Sequence, residues 1–278
     1  MIKITNEMEV KAAGVVLQNT LVHGDCMEVM KYIPDGFVDC VLTDPPYGTT
    51  ACKWDTIIPF EQMWEQLKRI TKKNGAIVLF SSQPFTSALV MSNPKMFKYE
   101  WVWEKERPTN IFLLKKQVGK VHENICVFYD KQPNYNPILE ASKQPKNNKN
   151  NKSQVGEMNT IETYGNTKTK ISSNYNPTKR FPRSVLKIDR GTKNSKKIHP
   201  TQKPVALMEY LIRTYTNEGE TVLDFTMGSF TTAIACLNTK RSFIGIEKDE
   251  HYFQVGKDRF EKHLSTLDYT TEIIYTQL

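Results

Sequence analysis

Apolar and polar positions follow two alternating rhythms over most of the chain. Val38 to Thr43 and Ala76 to Phe80 are nearly unbroken apolar runs, as in parallel strands covered on both faces. Between them, apolar residues at 60, 63, 64, 67 and 70 keep the helical period, predicting a helix over Pro59 to Ile70 that stops by Asn74-Gly75. The same reading predicts a short strand over Leu21 to Asp25, a helix over Cys26 to Tyr32 and a turn at Pro34-Asp35-Gly36. It continues with a helical stretch ending at Met91 and strands over Tyr99 to Lys105 and His122 to Tyr129. Helix Val205 to Tyr215, a strand from Thr221, a glycine turn, strand Arg241 to Glu247 and an amphipathic helix over Glu250 to Leu264 complete the series. Gly14 to Leu17 is a short apolar run that would form a strand or hairpin over the core. Strands alternating with helices predict an α/β fold.

Between residues 131 and 198 the rhythm disappears. This stretch is rich in Asn, Lys, Thr and Ser and repeats Asn-Tyr-Asn-Pro at 134–137 and 174–177, which reads as two similar turns. It divides the chain into a catalytic body, residues 1–130 with 199–278, and an insertion, 131–198. Arg180 to Leu186 reads as an ordered anchor returning to the core. The chain carries a net charge of +8, yet residues 131–197 alone hold 15 Lys or Arg against four Asp or Glu, so the body is slightly acidic. A basic block interleaved with Tyr135, Tyr164, Tyr175 and Phe181 points to a polyanionic partner, nucleic acid before others.

Candidate chemistry concentrates where the first apolar run stops, at Asp44-Pro45-Pro46-Tyr47. The two prolines cannot continue a sheet ladder, so the Asp44 carboxylate and the Pro45 carbonyl are presented together as acceptors, with an aromatic face beside them. Two acceptors can grip both hydrogens of an exocyclic amino group on a base and draw its nitrogen toward a nucleophilic geometry, while Tyr47 stacks on the base. This tetrapeptide is similar to the catalytic motif of DNA amino-methyltransferases, which methylate adenine N6 or cytosine N4. His199-Pro200-Thr201-Gln202-Lys203-Pro204-Val205 resembles a cofactor motif of the same family, its helix start suited to a carboxylate. Thr221 to Thr232 and Arg241 to Glu247 resemble half of a Rossmann-like unit, with an acid about 20 residues beyond the turn for ribose hydroxyls.

The resemblance covers most of residues 21–264, and its motif order is similar to the beta arrangement of the family. It implies a Rossmann-like S-adenosylmethionine-dependent methyltransferase fold, a mostly parallel seven-stranded sheet with a basic target-recognition insertion. The implied cofactor is S-adenosylmethionine, held by Asp25, Cys26, Asp44, Phe80, Thr201, Lys203, Asp224, Phe225, Thr226, Gly228, Ser229, Glu247 and Lys248. Asp25 reads equally well as a plain helix N-cap. Asp44, Pro45, Pro46 and Tyr47 are the implied catalytic residues. The implied partner is double-stranded DNA, contacted by Lys53, Trp54, Arg107, Lys115, Lys116, Tyr175, Lys179, Arg180 and Arg183, with the target base flipped out. A homodimer and a cognate restriction nuclease are compatible with the resemblance. One departure stands out: Phe230 occupies a position where the family usually has glycine. Its ring would either block the cofactor or line the pocket, which motivates the alternative of a DNA-binding module with impaired cofactor binding.

Asp rather than Ser at 44 favours adenine N6, with cytosine N4 the alternative. A sulfonium is already electrophilic, so the implied transfer is direct, and the chain has no Pro-Cys dipeptide for attack on cytosine C5. The five cysteines lack CxxC spacing, which argues for buried thiols in a reduced, cytoplasmic protein and against a metal site. No apolar run approaches the ~20 residues of a membrane span.

Overall fold

The computed structural model describes residues 4–5, 18–50, 52, 55–142, 157–159, 168–170, 178–191, 201–268 and 271–278. The Gly14 to Leu17 run lies outside them. Two compact units form, one of residues 1–136 with 184–278 and one of 137–183.

The larger unit is built on one sheet. Its strands in chain order are β1 (Ile4–Thr5), β2 (Thr20–His23), β3 (Val38–Thr43), β4 (Thr71–Ser81), β5 (Phe97–Glu104) and β6 (His122–Phe128). The smaller unit contributes β7 (Glu140–Ala141), β8 (Glu157–Asn159), β9 (Lys168–Lys170) and β10 (Lys179–Arg180). The larger unit resumes with β11 (Val185–Lys187), β12 (Thr221–Asp224), β13 (Ser242–Glu247) and β14 (Ile273–Gln277). The sheet runs β1-β14-β2-β13-β12-β3-β4-β6-β5-β11, and only the two pairings of β6 are antiparallel. It is α/β and mostly parallel as expected, but among the described residues it has ten strands rather than seven. The extra ones are short or marginal: β1 has two residues, β11 has three, and β14 follows the last clear amphipathic helix.

Helices cover both faces: α1 (Cys26–Val29), α2 (Phe60–Ile70), α3 (Phe85–Ser92), α4 (Val205–Tyr215), α5 (Thr231–Asn238) and α6 (Glu250–Leu264). Successive strand residues point to opposite faces. Leu42, Val78 and Phe80 enter a cluster with Leu207, Leu211 and Ile234 of α4 and α5, whereas Val41, Ile77 and Leu79 enter another with Met63, Trp64 and Leu67 of α2. This double burial explains the unbroken apolar runs. The four buried side chains of α2, Met63, Trp64, Leu67 and Ile70, share one face of the helix, each stabilising by about 1.5–3 kcal/mol. Trp64 is a core residue whose indole donates to Ser92 Oγ at 2.8 Å. Trp101 and Trp103 also pack inside, donating to the Tyr215 hydroxyl and the Ile188 carbonyl.

The boundary after α2 differs from the sequence reading. The chain becomes extended at Thr71, and β4 starts there rather than at Ala76, its pairing with β3 shifting in register between Val38 and Cys40. Gly75 lies at this irregularity, where a Cβ would stand 2.6 Å from Thr71 Cγ2 and 2.8 Å from the Asp39 carbonyl oxygen. Only glycine fits without movement there.

Leu186 is buried, and β11 pairs with β5 in parallel, so the end of the Arg180 to Leu186 stretch does return to the sheet. In the smaller unit, β7 pairs antiparallel with β10 and β8 with β9, and Arg180 meets Glu140 at 3.2 Å.

Candidate active site

Four carboxylates stand at the carboxyl ends of four neighbouring strands. Asp25 lies just past β2, Asp44 just past β3, Asp224 closes β12 and Glu247 closes β13. Those strands are consecutive in the order β2-β13-β12-β3. All four acids line one cavity of about 630 Å³. Ligand crevices of open α/β sheets form at this edge because the strand ends diverge and the helices start there.

Asp44 is the most heavily engaged. Its Oδ1 accepts from the Tyr47 hydroxyl and its Oδ2 from the Lys203 ammonium. Lys203 Nζ also lies 3.4 Å from Glu123 Oε2, while Glu123 Oε1 is paired with Lys105. Two cations and two anions thus form a buried chain, Lys105–Glu123–Lys203–Asp44. Burial pushes the Asp44 carboxyl above its usual value, and the Lys203 ammonium opposes that rise. Burial also works on Glu123, but Lys203 and Lys105 draw it down to about 2. For Lys203, burial disfavours the charge, yet Asp44 and Glu123 hold its pKa above the ordinary value. The Tyr47 phenol is raised far up by burial and by Asp44, so at neutral pH it is a donor.

A second carboxylate shapes the loop that carries these groups. Asp55 Oδ1 accepts from the backbone N–H groups of Tyr47 and Gly48 at 2.7 and 2.8 Å, and its Oδ2 from those of Thr49 and Thr50 at 2.9 and 2.7 Å. Burial would raise its pKa, but the hydrogen bonds around Thr50, Gly48 and Thr49 prevail and hold it below the usual carboxylate range. The Tyr47 ring rests on Phe85, centroids 5.1 Å apart with 28° between planes. Among the described residues no hydrogen bond reaches the carbonyl of Pro45, a buried residue.

On the other side of the cavity, Asp224 accepts from Thr43 Oγ1 at 2.6 Å, from the Thr226 N–H at 3.2 Å and from Thr232 Oγ1. Burial nevertheless raises its carboxyl to about 6. Glu247 accepts from the N–H groups of Gly228 and Asp249 at 2.7 and 2.8 Å, and burial raises it too. Gly228 has φ 54°, a left-handed turn that brings its N–H onto that carboxylate. Asp25 is the N-cap of α1, accepting from the Met27 N–H at 2.8 Å, while its other oxygen meets Lys248 Nζ at 3.0 Å. Its two readings coexist, since it caps the helix and lines the cavity.

Of the residues assigned to the cofactor, Asp25, Cys26, Asp44, Thr201, Lys203, Asp224, Phe225, Thr226, Gly228, Ser229, Glu247 and Lys248 all line this cavity. Phe80 does not: it is fully buried, its ring 5.0 Å from Lys203 Nζ, where it backs the cation. Lys203 itself points to Asp44 and Glu123 rather than lying free at the start of α4. Phe230 takes neither orientation the sequence suggested. It adopts the left-handed conformation, φ 60°, that makes glycine the common residue there, and its fully buried ring turns away from the cavity to pack against Phe253 at 5.4 Å. The motive for impaired cofactor binding is thereby removed.

Arg107, Lys115 and Lys116 are exposed on the β5–β6 loop, and Lys179 and Arg183 are exposed in the smaller unit, where Arg180 is paired with Glu140. Lys53, Trp54 and Tyr175 lie outside the described residues. Sequence reading missed Asp55, Glu123, Lys105 and Thr43. A signal existed only for Asp55, an acid shortly after a Gly-Thr-Thr turn; the others act through contacts between distant segments. Among the described residues no group of three His, Cys, Asp or Glu side chains is arranged to hold a metal ion, and no helix is long and apolar enough to cross a membrane.

A family model described as DNA methylase matches residues 38–258. Over 264 residues the chain is 30% identical to the DNA adenine methyltransferase YhdJ of Escherichia coli (strain K12), covering 87% of this chain and 82% of that protein. It is 25% identical to the type II methyltransferase M.HpaI of Haemophilus parainfluenzae, covering 91% and 77%. Among solved structures, the M1.HpyAVI–SAM complex aligns with a TM-score of 0.57 at 27% identity, over 86% of this chain and 98% of that one. The cytosine-N4-specific PvuII DNA methyltransferase aligns with a TM-score of 0.62 over 91% and 92%, at 15% identity, a likeness of fold.

Proposed function

The chain belongs to the N6/N4 DNA methylase family, and we propose that it transfers a methyl group to N6 of a flipped-out adenine in duplex DNA, with S-adenosylmethionine as the donor. The observation that carries this reading is the Asp44 carboxylate, followed in sequence by a Pro45 carbonyl that no described hydrogen bond occupies, in a cavity whose other acids end β2, β12 and β13. That donor set fits S-adenosylmethionine: Glu247 suits ribose hydroxyls, and Asp44 and Asp224 suit a sulfonium. Asp25, Phe225 and Lys248 suit the purine end, and Thr201 and Ser229 the amino-acid end. The volume, about 630 Å³, is that of an ordinary cofactor pocket.

Bound there, S-adenosylmethionine supplies a methyl group on a good leaving sulfur. The chain supplies orientation. Asp44 and the Pro45 carbonyl each accept one hydrogen of the target amino group, turning the nitrogen lone pair out of conjugation and toward the methyl carbon. Tyr47, braced by Phe85, presents a ring to the base. As the nitrogen–carbon bond forms, one amino proton becomes acidic, and the ionised Asp44 is placed to take it. Lys203 and the Tyr47 hydroxyl stabilise the charge that this role requires.

Adenine is favoured over cytosine by aspartate at position 44 and by the name of the Escherichia coli relative. In the same reading, the basic 131–198 segment, with its compact 137–183 unit, acts in target recognition. The test is transfer of a labelled methyl group from S-adenosylmethionine to unmethylated DNA, followed by digestion to nucleosides. N6-methyladenosine made by wild type and lost in Asp44→Ala is the expected result. N4-methylcytosine would change the base and keep the chemistry, and no transfer to DNA that is bound would overturn the reading.

A further inference from the structure

The loop joining β5 to β6 is ordered at its neck and apolar at its tip. At the neck, the Lys105 N–H donates to the Val121 carbonyl at 2.6 Å and the Thr109 N–H to the Lys120 carbonyl at 3.0 Å. The Asn110 side chain ties the two arms further, accepting from the Lys120 N–H at 2.7 Å and donating to the Val118 carbonyl at 3.0 Å. A 3-10 turn over Ile111–Leu113 then projects outward. Phe112 is 94% exposed and Val118 88%, with Ile111 at 57% beside them. Side chains this apolar are seldom left in water by a loop so well tied, unless the loop meets something.

Position and charge say what it meets. Because β5 and β4 are each antiparallel to β6, β5 runs parallel to β3 and β4, and its loop leaves from the same sheet edge that carries Asp44. The loop is also tied to the catalytic carboxylate by charge. Lys105, at its start, belongs to the chain through Glu123 and Lys203 to Asp44, and Lys120, at its end, bonds Ser82 Oγ just beyond β4. Next to the tip, Lys115 and Lys116 are exposed, and so is Arg107. The one acid of the loop, Glu106, is engaged by Arg190 at 3.2 Å. An apolar point beside exposed cations suits the interior of a base stack flanked by phosphates. A second copy would bring like charges together at an isologous contact.

We propose that the β5–β6 loop is a wedge that enters the DNA base stack through Phe112 at the step the target base vacates, while Lys115 and Lys116 hold the flanking phosphates. This rests on the DNA methyltransferase reading and adds to it the element that keeps the base out. Extruding a base leaves a gap whose neighbours lose stacking, and an inserted phenyl group restores those contacts.

The experiment compares wild type, Phe112→Ala and Phe112→Trp on two duplexes of the site that wild type selects by binding from a random-sequence DNA pool. One is fully paired, and the other has an abasic position opposite the target. On the paired duplex, kcat/KM of Phe112→Ala falls roughly tenfold to a hundredfold, the equivalent of losing one unstacking contribution. It recovers on the abasic-opposite duplex, where the target is already loosely held, and Phe112→Trp stays close to wild type on both. In parallel, 2-aminopurine at the target position brightens on binding wild type and Phe112→Trp but not Phe112→Ala. That fluorescence needs no chemistry, so an inactive wild type with Phe112-dependent brightening would sink the methyltransferase reading and keep the wedge. Equal kinetics for wild type and Phe112→Ala on the paired duplex would overturn the wedge, as would equal loss on both duplexes. A fall in mass by light scattering in Phe112→Ala, with no change in 2-aminopurine signal, would also overturn it and assign the tip to self-association.

Discussion

The Phe230 ring occupies the space that a side chain at Gly256 would need: a Cβ on Gly256 would lie 2.5 Å from Phe230 Cδ1. A phenylalanine in a left-handed turn of the cofactor loop is thus matched by a glycine in the middle of α6. Each unusual residue makes room for the other. Gly256→Ala is expected to destabilise by about 1–3 kcal/mol through overpacking, although alanine is the better helix former. Phe230→Gly relieves the turn but empties a core position, for a net loss of roughly 2–4 kcal/mol. In the Phe230→Gly background, Gly256→Ala should become stabilising. Denaturant melts of the four proteins check this, and additive effects would refute the pairing. S-adenosylmethionine affinity should be unchanged in any variant that stays folded, because the ring does not face the cavity.

In the proposed reaction ionised Asp44 is the form that accepts amino hydrogens, and burial raises its pKa against the pull of Lys203. The rate should therefore fall on the acid side at a pH above the usual carboxylate range. Removing the cation in Lys203→Met should move that limb to higher pH and lower the plateau. Tyr47→Phe should move it the same way by less, since it removes one hydrogen bond and keeps the ring. Single-turnover rates across pH separate these outcomes, and a limb that ignores Lys203 would exclude its role.

Asp55 predicts an effect on rate at a distance from the reacting atoms. Asp55→Ala leaves four backbone N–H groups without their acceptor and frees the turn that carries Tyr47. A fall of about a hundredfold in kcat is expected, as for an ångström-scale misplacement. S-adenosylmethionine affinity, measured by calorimetry, should change little. A parallel loss of cofactor binding would mean that Asp55 supports the cavity as a whole.

Asp224 and Glu123 give opposite dependences of stability on pH. Asp224 has a folded pKa of about 6 against an ordinary 3.8, so its contribution is fully present below the lower value and is lost as pH rises through 6. Glu123, at about 2 against 4.5, contributes fully above 4.5 and loses that contribution as pH falls toward 2. Melting temperatures of Asp224→Asn should be flatter than wild type between about pH 4 and 6, the window its shift defines. Those of Glu123→Gln should be flatter below about pH 4.5 and lower overall, because the buried Lys105 ammonium then loses its carboxylate partner and Lys203 keeps only Asp44. Unaltered curves would show that these carboxyls titrate as in the unfolded chain.

Strands and helices were legible wherever burial imposed a period. Val38 to Thr43 reads as a strand because both faces are covered, and Met63, Trp64, Leu67 and Ile70 read as one side of a helix. The acids at the strand ends were legible too, because each breaks an apolar run. What could not be read was set by residues far apart in sequence. Glu123 reads as an ordinary strand residue until Lys105 and Lys203 close around it, and the direction of the Phe230 ring depends on Gly256. The short β1 and β11 are strands only because β14 and β5 offer them an edge.

The bond between Lys203 and Asp44 spans 159 residues, and that between Thr43 and Asp224 spans 181. The Asp-Pro-Pro-Tyr motif is therefore made long before the residues that its acid and its neighbour Thr43 bond to in the folded sheet. A nascent or truncated chain that stops before β13 lacks Glu247 and one of the two strands that flank β12. On the proposed reading, a fragment that carries Asp-Pro-Pro-Tyr without Lys203 and Asp224 would be chemically silent.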